Sequence, residues 1–158
     1  MTHYQDLEPW ERWGLLAVGW LEVDHPYPQG PVEEAFFTRL IELLVKPWDP
    51  FVSAGFHRCS LCRFSGGPGG MRFHERSIEM GQKNLFVPWN GKVFIAPSLI
   101  AHSIDSHHYC PPKEFQQAVL ECPRMSSAAY LKHMKQAGLL NRGQILEGAV
   151  QVLPDDST

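Results

Sequence analysis

The stretch GFHRCSLCRF, residues 55–64, contains Cys59 and Cys62 in C-x-x-C spacing. Two thiolates at this spacing can bind one tetrahedral ion from a tight turn whose backbone amides also point at the sulfurs, as in zinc knuckles. The redox dithiols of thioredoxin-like proteins lie instead where a strand meets a helix in a βαβ unit, and the residues around Cys59 show no such pattern. The pair therefore predicts a zinc site with Cys59 and Cys62 as two of its ligands.

Zinc then needs two further donors, for which imidazoles are the usual partners of thiolates. His102 and His107 follow some 40 residues after the cysteines as H-x4-H, whereas His57 lies two residues before the first cysteine. Five residues separate two side chains on a regular helix by about 140°, so His102 and His107 face one ion only if the helix tightens or ends between them. If it does neither, His57 joins His102 as the fourth ligand. Both ligand sets stay open, with Cys110 and His74 as remoter substitutes.

A β-hairpin is predicted between the cysteines and these histidines. Short strands are expected at residues 76–79, 85–87 and 93–95. The tripeptide Trp89-Asn90-Gly91 supplies the turn between the last two, since Asn-Gly is a strong signal for a two-residue hairpin loop.

A helix that carries both histidines follows the hairpin. Pro97 and Ser98 mark its start, and Pro111 and Pro112 end the segment. A treble-clef zinc site has the same order of parts: a knuckle, then a hairpin, then a helix that bears histidine. The fold class expected is therefore α+β, a small zinc-stabilised domain with a treble-clef-like centre and flanking helices.

Three flanking helices are predicted from apolar residues that recur at helical spacing. The first covers residues 31–46 and ends at Pro47. In the second helix, the shared apolar face is formed by Phe115, Ala118 and Val119. The third helix is defined by Ser126, Tyr130 and Met134 and ends at Gly138.

The remaining segments give weaker signals. A strand is expected at residues 17–23, a flexible loop at the SGGPGG segment 65–70, and a last strand at 149–153. We predict one domain over residues 1–153 and a frayed acidic tail over 154–158.

Composition narrows the classes of function. The chain has 158 residues, a net charge of -3 and a sequence pI near 6.2, so it lacks the basic excess typical of general nucleic-acid binders. No apolar stretch approaches the roughly 18–20 residues of a membrane span, and the first residues do not resemble a signal peptide, so a cytoplasmic location is expected. The four cysteines are then metal ligands or buried thiols, and Cys122, beside apolar residues, is predicted to be a core thiol.

The segments GFHRCSLC (55–62), NLFVP (84–88) and APSLIAHSIDSHHYCPPKEF (96–115) resemble an uncharacterised family of small bacterial proteins. Its pattern is G-x-H-x-C-x-x-C followed by H-x4-H-x-Y-x-P-P, and the likeness extends over most of residues 4–137. The resemblance implies a metal bound through His57, Cys59, Cys62, His102 and His107, and implies no activity. Ser103 stands where the family tends to have an aromatic residue, which removes no candidate ligand.

The expected function is binding. With four protein ligands the Zn²⁺ site is closed and structural, and the chain is expected to be a bacterial accessory, regulatory or immunity-type protein whose partner is another protein. The alternative is a zinc-dependent hydrolase in which Cys59, Cys62 and His102 hold the ion, water fills the fourth position, and His57 or His107 is the general base.

Overall fold

Four α-helices and five β-strands form the part of the chain that the computed structural model describes, residues 3–10, 14–49, 58–62 and 69–139. The α+β class predicted from the sequence is confirmed. In chain order the elements are β1 (Leu16–Ala17), α1 (Glu34–Val45), β2 (Gly70–Phe73), β3 (Arg76–Glu79), β4 (Asn84–Trp89), β5 (Lys92–Pro97), α2 (Ile100–His107), α3 (Lys113–Glu121) and α4 (Ala128–Gln136).

The β4–β5 hairpin supplies two of the three strands of the larger sheet. Trp89 pairs with Lys92, so the loop between them has only two residues, Asn90 and Gly91. Both have positive φ, 48° and 75°, as a type I′ turn requires. The predicted Asn-Gly hairpin is therefore confirmed, and β1 extends it by pairing parallel to β5 to give the order β1-β5-β4.

The second sheet is a two-stranded ribbon in which β2 pairs antiparallel with β3. The strand at 76–79 was predicted, but β2 was not, because Gly70 was assigned to a flexible loop. The tight turn between the strands is made by His74 and Glu75 with φ of 47° and 66°. Neither residue is a usual turn former, so no residue pattern predicts a hairpin here.

The core lies between the larger sheet and the helices. Phe115 of α3 is fully buried and contacts Phe36 of α1 and Phe94 of β5 edge to face, at ring-centroid distances of 6.2 and 5.8 Å. On α4, the buried Tyr130 hydroxyl donates a hydrogen bond of 2.7 Å to the Phe86 carbonyl on the edge strand β4. The apolar face predicted for the first helix packs into this core, and α1 begins three residues later than predicted.

The strand predicted over residues 17–23 is wrong beyond its first residue, because β1 ends at Ala17. Gly19 has a φ of +80°, which breaks the extended backbone. Its N–H donates to the Asp6 carboxylate at 3.0 Å instead of to a neighbouring strand. The chain turns away from the sheet at this glycine.

The later helices agree with the predicted apolar faces. The last helix begins after Ser127, whose side chain accepts a hydrogen bond from the Tyr130 amide, rather than at Ser126. The predicted strand at 149–153 and tail at 154–158 lie outside the described residues, so these and the single domain over 1–153 stay predictions. Among the residues described, no helix is both long and apolar enough to cross a membrane.

Gly19→Ala is expected to lower the free energy of unfolding by about 2–3 kcal/mol, because it combines a positive φ with a steric contact. A Cβ at this position would lie 3.0 Å from two side-chain carbons of Ile100. Gly91→Ala is the matched control: its φ is +75° with no atom within 4 Å, so it should cost only about 1 kcal/mol. Urea unfolding of both variants measures the difference, and equal losses would contradict the proposed packing of Gly19 on Ile100.

Candidate metal centre

Four of the five predicted ligands come together at one place. The ligand atoms of Cys59, Cys62, His102 and His107 all lie within 4.8 Å of one another. Cys62 Sγ is 3.1 Å from His102 Nε2 and 3.5 Å from His107 Nε2, and Cys59 Sγ is 3.4 Å from His107 Nε2. This cluster could hold a metal ion.

The distances fit a tetrahedral ion. Zinc binds sulfur at about 2.3 Å and imidazole nitrogen at about 2.0–2.1 Å, so two such ligands at a tetrahedral angle lie about 3.6 Å apart. The three sulfur–nitrogen distances, 3.1, 3.4 and 3.5 Å, are close to that value. An ion between the four atoms would require only small shifts of the side chains.

The cysteines lie on a short turn whose amides point at the sulfur. The backbone N–H groups of Leu61 and Cys62 donate to Cys59 Sγ, as predicted for a knuckle. Burial raises the pKa of the Cys59 thiol, and the two amides oppose that rise because they stabilise the thiolate. Ser60 anchors the turn, since its Oγ accepts a hydrogen bond of 3.0 Å from the Val23 amide.

The end of α2 explains how both histidines reach one site. Regular helix geometry predicted that α2 must tighten or end between His102 and His107. That prediction was wrong, because α2 runs unbroken from Ile100 to His107 and does not tighten. Its last turn widens instead: the Ser103 carbonyl accepts N–H bonds from His108 and Tyr109, five and six residues further along. A wider turn advances less than 100° per residue, and the His102 and His107 rings lie with their centroids 5.0 Å apart.

Both imidazoles are held in the form that binds metals. Burial lowers the pKa of His102, and the neighbouring His107 lowers it further, although Asp105 acts in the opposite direction. Burial also lowers the pKa of His107, with a smaller contribution from His108. Both shifts favour the neutral ring, which keeps a lone pair for a metal.

The other candidate donors lie elsewhere or outside the described residues. Cys110 contacts the Pro31 carbonyl and the Gln116 amide at 3.8 and 3.7 Å, away from the cluster. Burial raises the pKa of Cys122 to about 12, which agrees with the predicted core thiol. His74 is in the turn of the β2–β3 ribbon. His57 lies outside the described residues, and its role as a ligand stays a prediction.

A cleft of about 610 Å³ lies at another part of the surface, between the end of α1 and the β2–β3 ribbon. Among its described lining residues are Lys46, Arg72 and Lys83, and none of the four cluster residues is among them. The metal cluster therefore does not form the floor of this cleft.

A family with the description "domain of unknown function" (DUF7919) matches residues 1–120. The chain belongs to the DUF7919 family. All four cluster residues lie within the DUF7919 match, whereas α4 lies beyond it. The expected resemblance to an uncharacterised family is confirmed to that extent, and the family-wide motif and the bacterial origin stay predictions. No curated protein and no solved structure matches the chain.

Metal binding to this DUF7919 chain should release at least about one proton at neutral pH. The raised pKa keeps the Cys59 thiol protonated in the metal-free protein, and that proton must leave when sulfur coordinates. The apparent affinity should therefore fall by about tenfold or more per pH unit between roughly pH 8 and 7, where the imidazoles are already neutral. Titration calorimetry in buffers of different ionisation enthalpy counts the protons, and an affinity independent of pH would refute thiolate coordination.

Proposed function

We propose that the domain holds one structural zinc ion through Cys59, Cys62, His102 and His107, and that the folded domain acts by binding another protein. The observation that carries the proposal is the convergence of two sulfurs and two imidazole nitrogens within 4.8 Å.

The donor set favours zinc among the common metals. Magnesium and calcium prefer oxygen ligands, whereas two thiolates and two imidazoles are a usual set for structural zinc. A Rieske cluster also uses two cysteines and two histidines, but its two irons lie between the thiolates and the imidazoles. The sulfur–nitrogen distances of 3.1–3.5 Å leave space for one ion only.

The ion would join parts of the chain that are distant in sequence. Cys62 and His102 are 40 residues apart, and the knuckle lies on a loop whose described part, residues 58–62, has no helix or strand of its own. Structural zinc sites of this kind contribute about 10–16 kcal/mol of apparent binding free energy in zinc-finger peptides. The ion would thus hold the knuckle against α2, in the manner predicted for a treble clef.

A closed site is supported over the open site of a hydrolase. His107 Nε2 lies 3.4 and 3.5 Å from the two thiols, which is the position that an open site would leave to water. Two thiolates also donate charge to the ion and reduce its ability to acidify water. The cleft between α1 and the β2–β3 ribbon has none of the four donors among its described lining residues.

Protein binding is the role that the rest of the chain favours. The net charge of -3 and pI near 6.2 are unfavourable for general binding to phosphate backbones. A small domain whose metal is structural would act through its surface, as an accessory, regulatory or immunity-type protein does.

Protein purified without tags or added metal is expected to contain one zinc per chain by elemental analysis. Cys59→Ser, His102→Ala and His107→Ala should each lose the zinc and lower the unfolding temperature, because three ligands hold the ion poorly. Cys110→Ser is the matched control, since this partly buried thiol lies outside the cluster. A strong chelator should destabilise the wild type and Cys110→Ser alike.

Three outcomes would count against the proposal. A wild type that contains no zinc contradicts the metal site, and zinc retained in His107→Ala contradicts the ligand set. If azide changes the visible spectrum of the cobalt-substituted protein, an exchangeable position exists and the hydrolase alternative replaces the closed site.

A further inference from the structure

We propose that Tyr109 and Asp6, which are not metal ligands, position His107 and so set the affinity of the site for zinc. The inference rests on the proposed zinc site and adds residues to it from a distant part of the chain.

Tyr109 follows α2 by two residues, and its side chain is completely buried. Its hydroxyl donates to the Asp6 carboxylate, with both carboxylate oxygens at 2.9 Å. The same carboxylate accepts the Gly19 N–H at 3.0 Å, and Gly19 packs against Ile100, the first residue of α2. One carboxylate therefore links the chain after the C-terminus of α2 to the loop that covers its N-terminus.

The hydrogen bonds around α2 stabilise an unfavourable backbone conformation between His107 and Tyr109. His108 has a φ of 56°, a left-handed conformation that is strained for a residue other than glycine. Its carbonyl accepts the Gly30 N–H at 3.0 Å, and the Tyr27 hydroxyl donates to the His107 carbonyl at 3.1 Å. These bonds hold the peptides on both sides of His108 in the orientation that the widened turn requires.

The direction of the His107 side chain depends on that turn. If Tyr109 moves, the turn can relax toward a regular helix, which would rotate His107 away from His102. Tyr109 therefore acts on the metal through the backbone, in the way that outer-shell partners orient ligands and commonly change metal affinity by about 10–100-fold.

Tyr130 provides a matched control for a loss of stability alone. Like Tyr109 it is completely buried, and its hydroxyl donates one short bond, to the Phe86 carbonyl in the core. Tyr109→Phe and Tyr130→Phe thus remove the same group from equally buried sites, but only the first lies beside the cluster.

The test measures zinc affinity by competition with a chromophoric chelator, together with the visible d–d spectrum of the cobalt-substituted protein. Tyr109→Phe is expected to weaken zinc binding by about tenfold and to shift the cobalt bands. Tyr130→Phe should lower the unfolding temperature while leaving zinc affinity and the cobalt spectrum unchanged.

Asp6→Asn, which keeps a hydrogen-bond acceptor, should have a zinc affinity closer to that of the wild type than Asp6→Ala has. If Tyr109→Phe does not fold, the half-buried Tyr27→Phe tests the same turn and should weaken binding to a smaller degree.

Equal zinc affinity and identical cobalt spectra in Tyr109→Phe, Tyr27→Phe and the wild type would overturn the inference while the zinc site stands. A wild type that takes up no zinc would overturn the proposed function, and the positioning role with it. The two failures are therefore distinguished by the wild-type measurement.

Discussion

The structure depends on one geometric constraint: two thiols and two imidazoles, from segments about 40 residues apart, must converge within 4.8 Å. The knuckle supplies both sulfurs from a single turn, in which the backbone N–H groups of Leu61 and Cys62 donate hydrogen bonds to Cys59 Sγ. The two imidazoles are harder to bring together, because residues five apart do not share a face on a regular helix. α2 ends in a widened turn that closes on the Ser103 carbonyl, and the His102 and His107 rings lie 5.0 Å apart, centroid to centroid.

The N-terminal part of the chain connects both halves of the cluster. Val23 bonds to Ser60 within the knuckle, and Tyr27 bonds to the carbonyl of His107. Asp6 accepts a hydrogen bond from Tyr109, two residues after the end of α2. A segment that contains no predicted ligand thus holds the two ligand-bearing segments in relation to each other, and this segment lies within the DUF7919 match.

Features with local signals could be predicted from the sequence. The C-x-x-C turn, the Asn90-Gly91 hairpin and the apolar face of α1 each depend on residues close together in the chain, and each was found. The approach of His107 to His102 could not be predicted, because an average of 100° per residue takes no account of a wider turn at the end of a helix. The His74-Glu75 turn and the Asp6–Tyr109 bond likewise depend on tertiary contacts, the latter between residues 103 positions apart.

X-ray absorption at the zinc edge of the purified wild type measures directly which atoms surround the ion. We expect two sulfurs at about 2.3 Å and two imidazole nitrogens at about 2.0–2.1 Å. A shell without sulfur, or one in which an oxygen replaces a nitrogen, would contradict the closed site of Cys59, Cys62, His102 and His107.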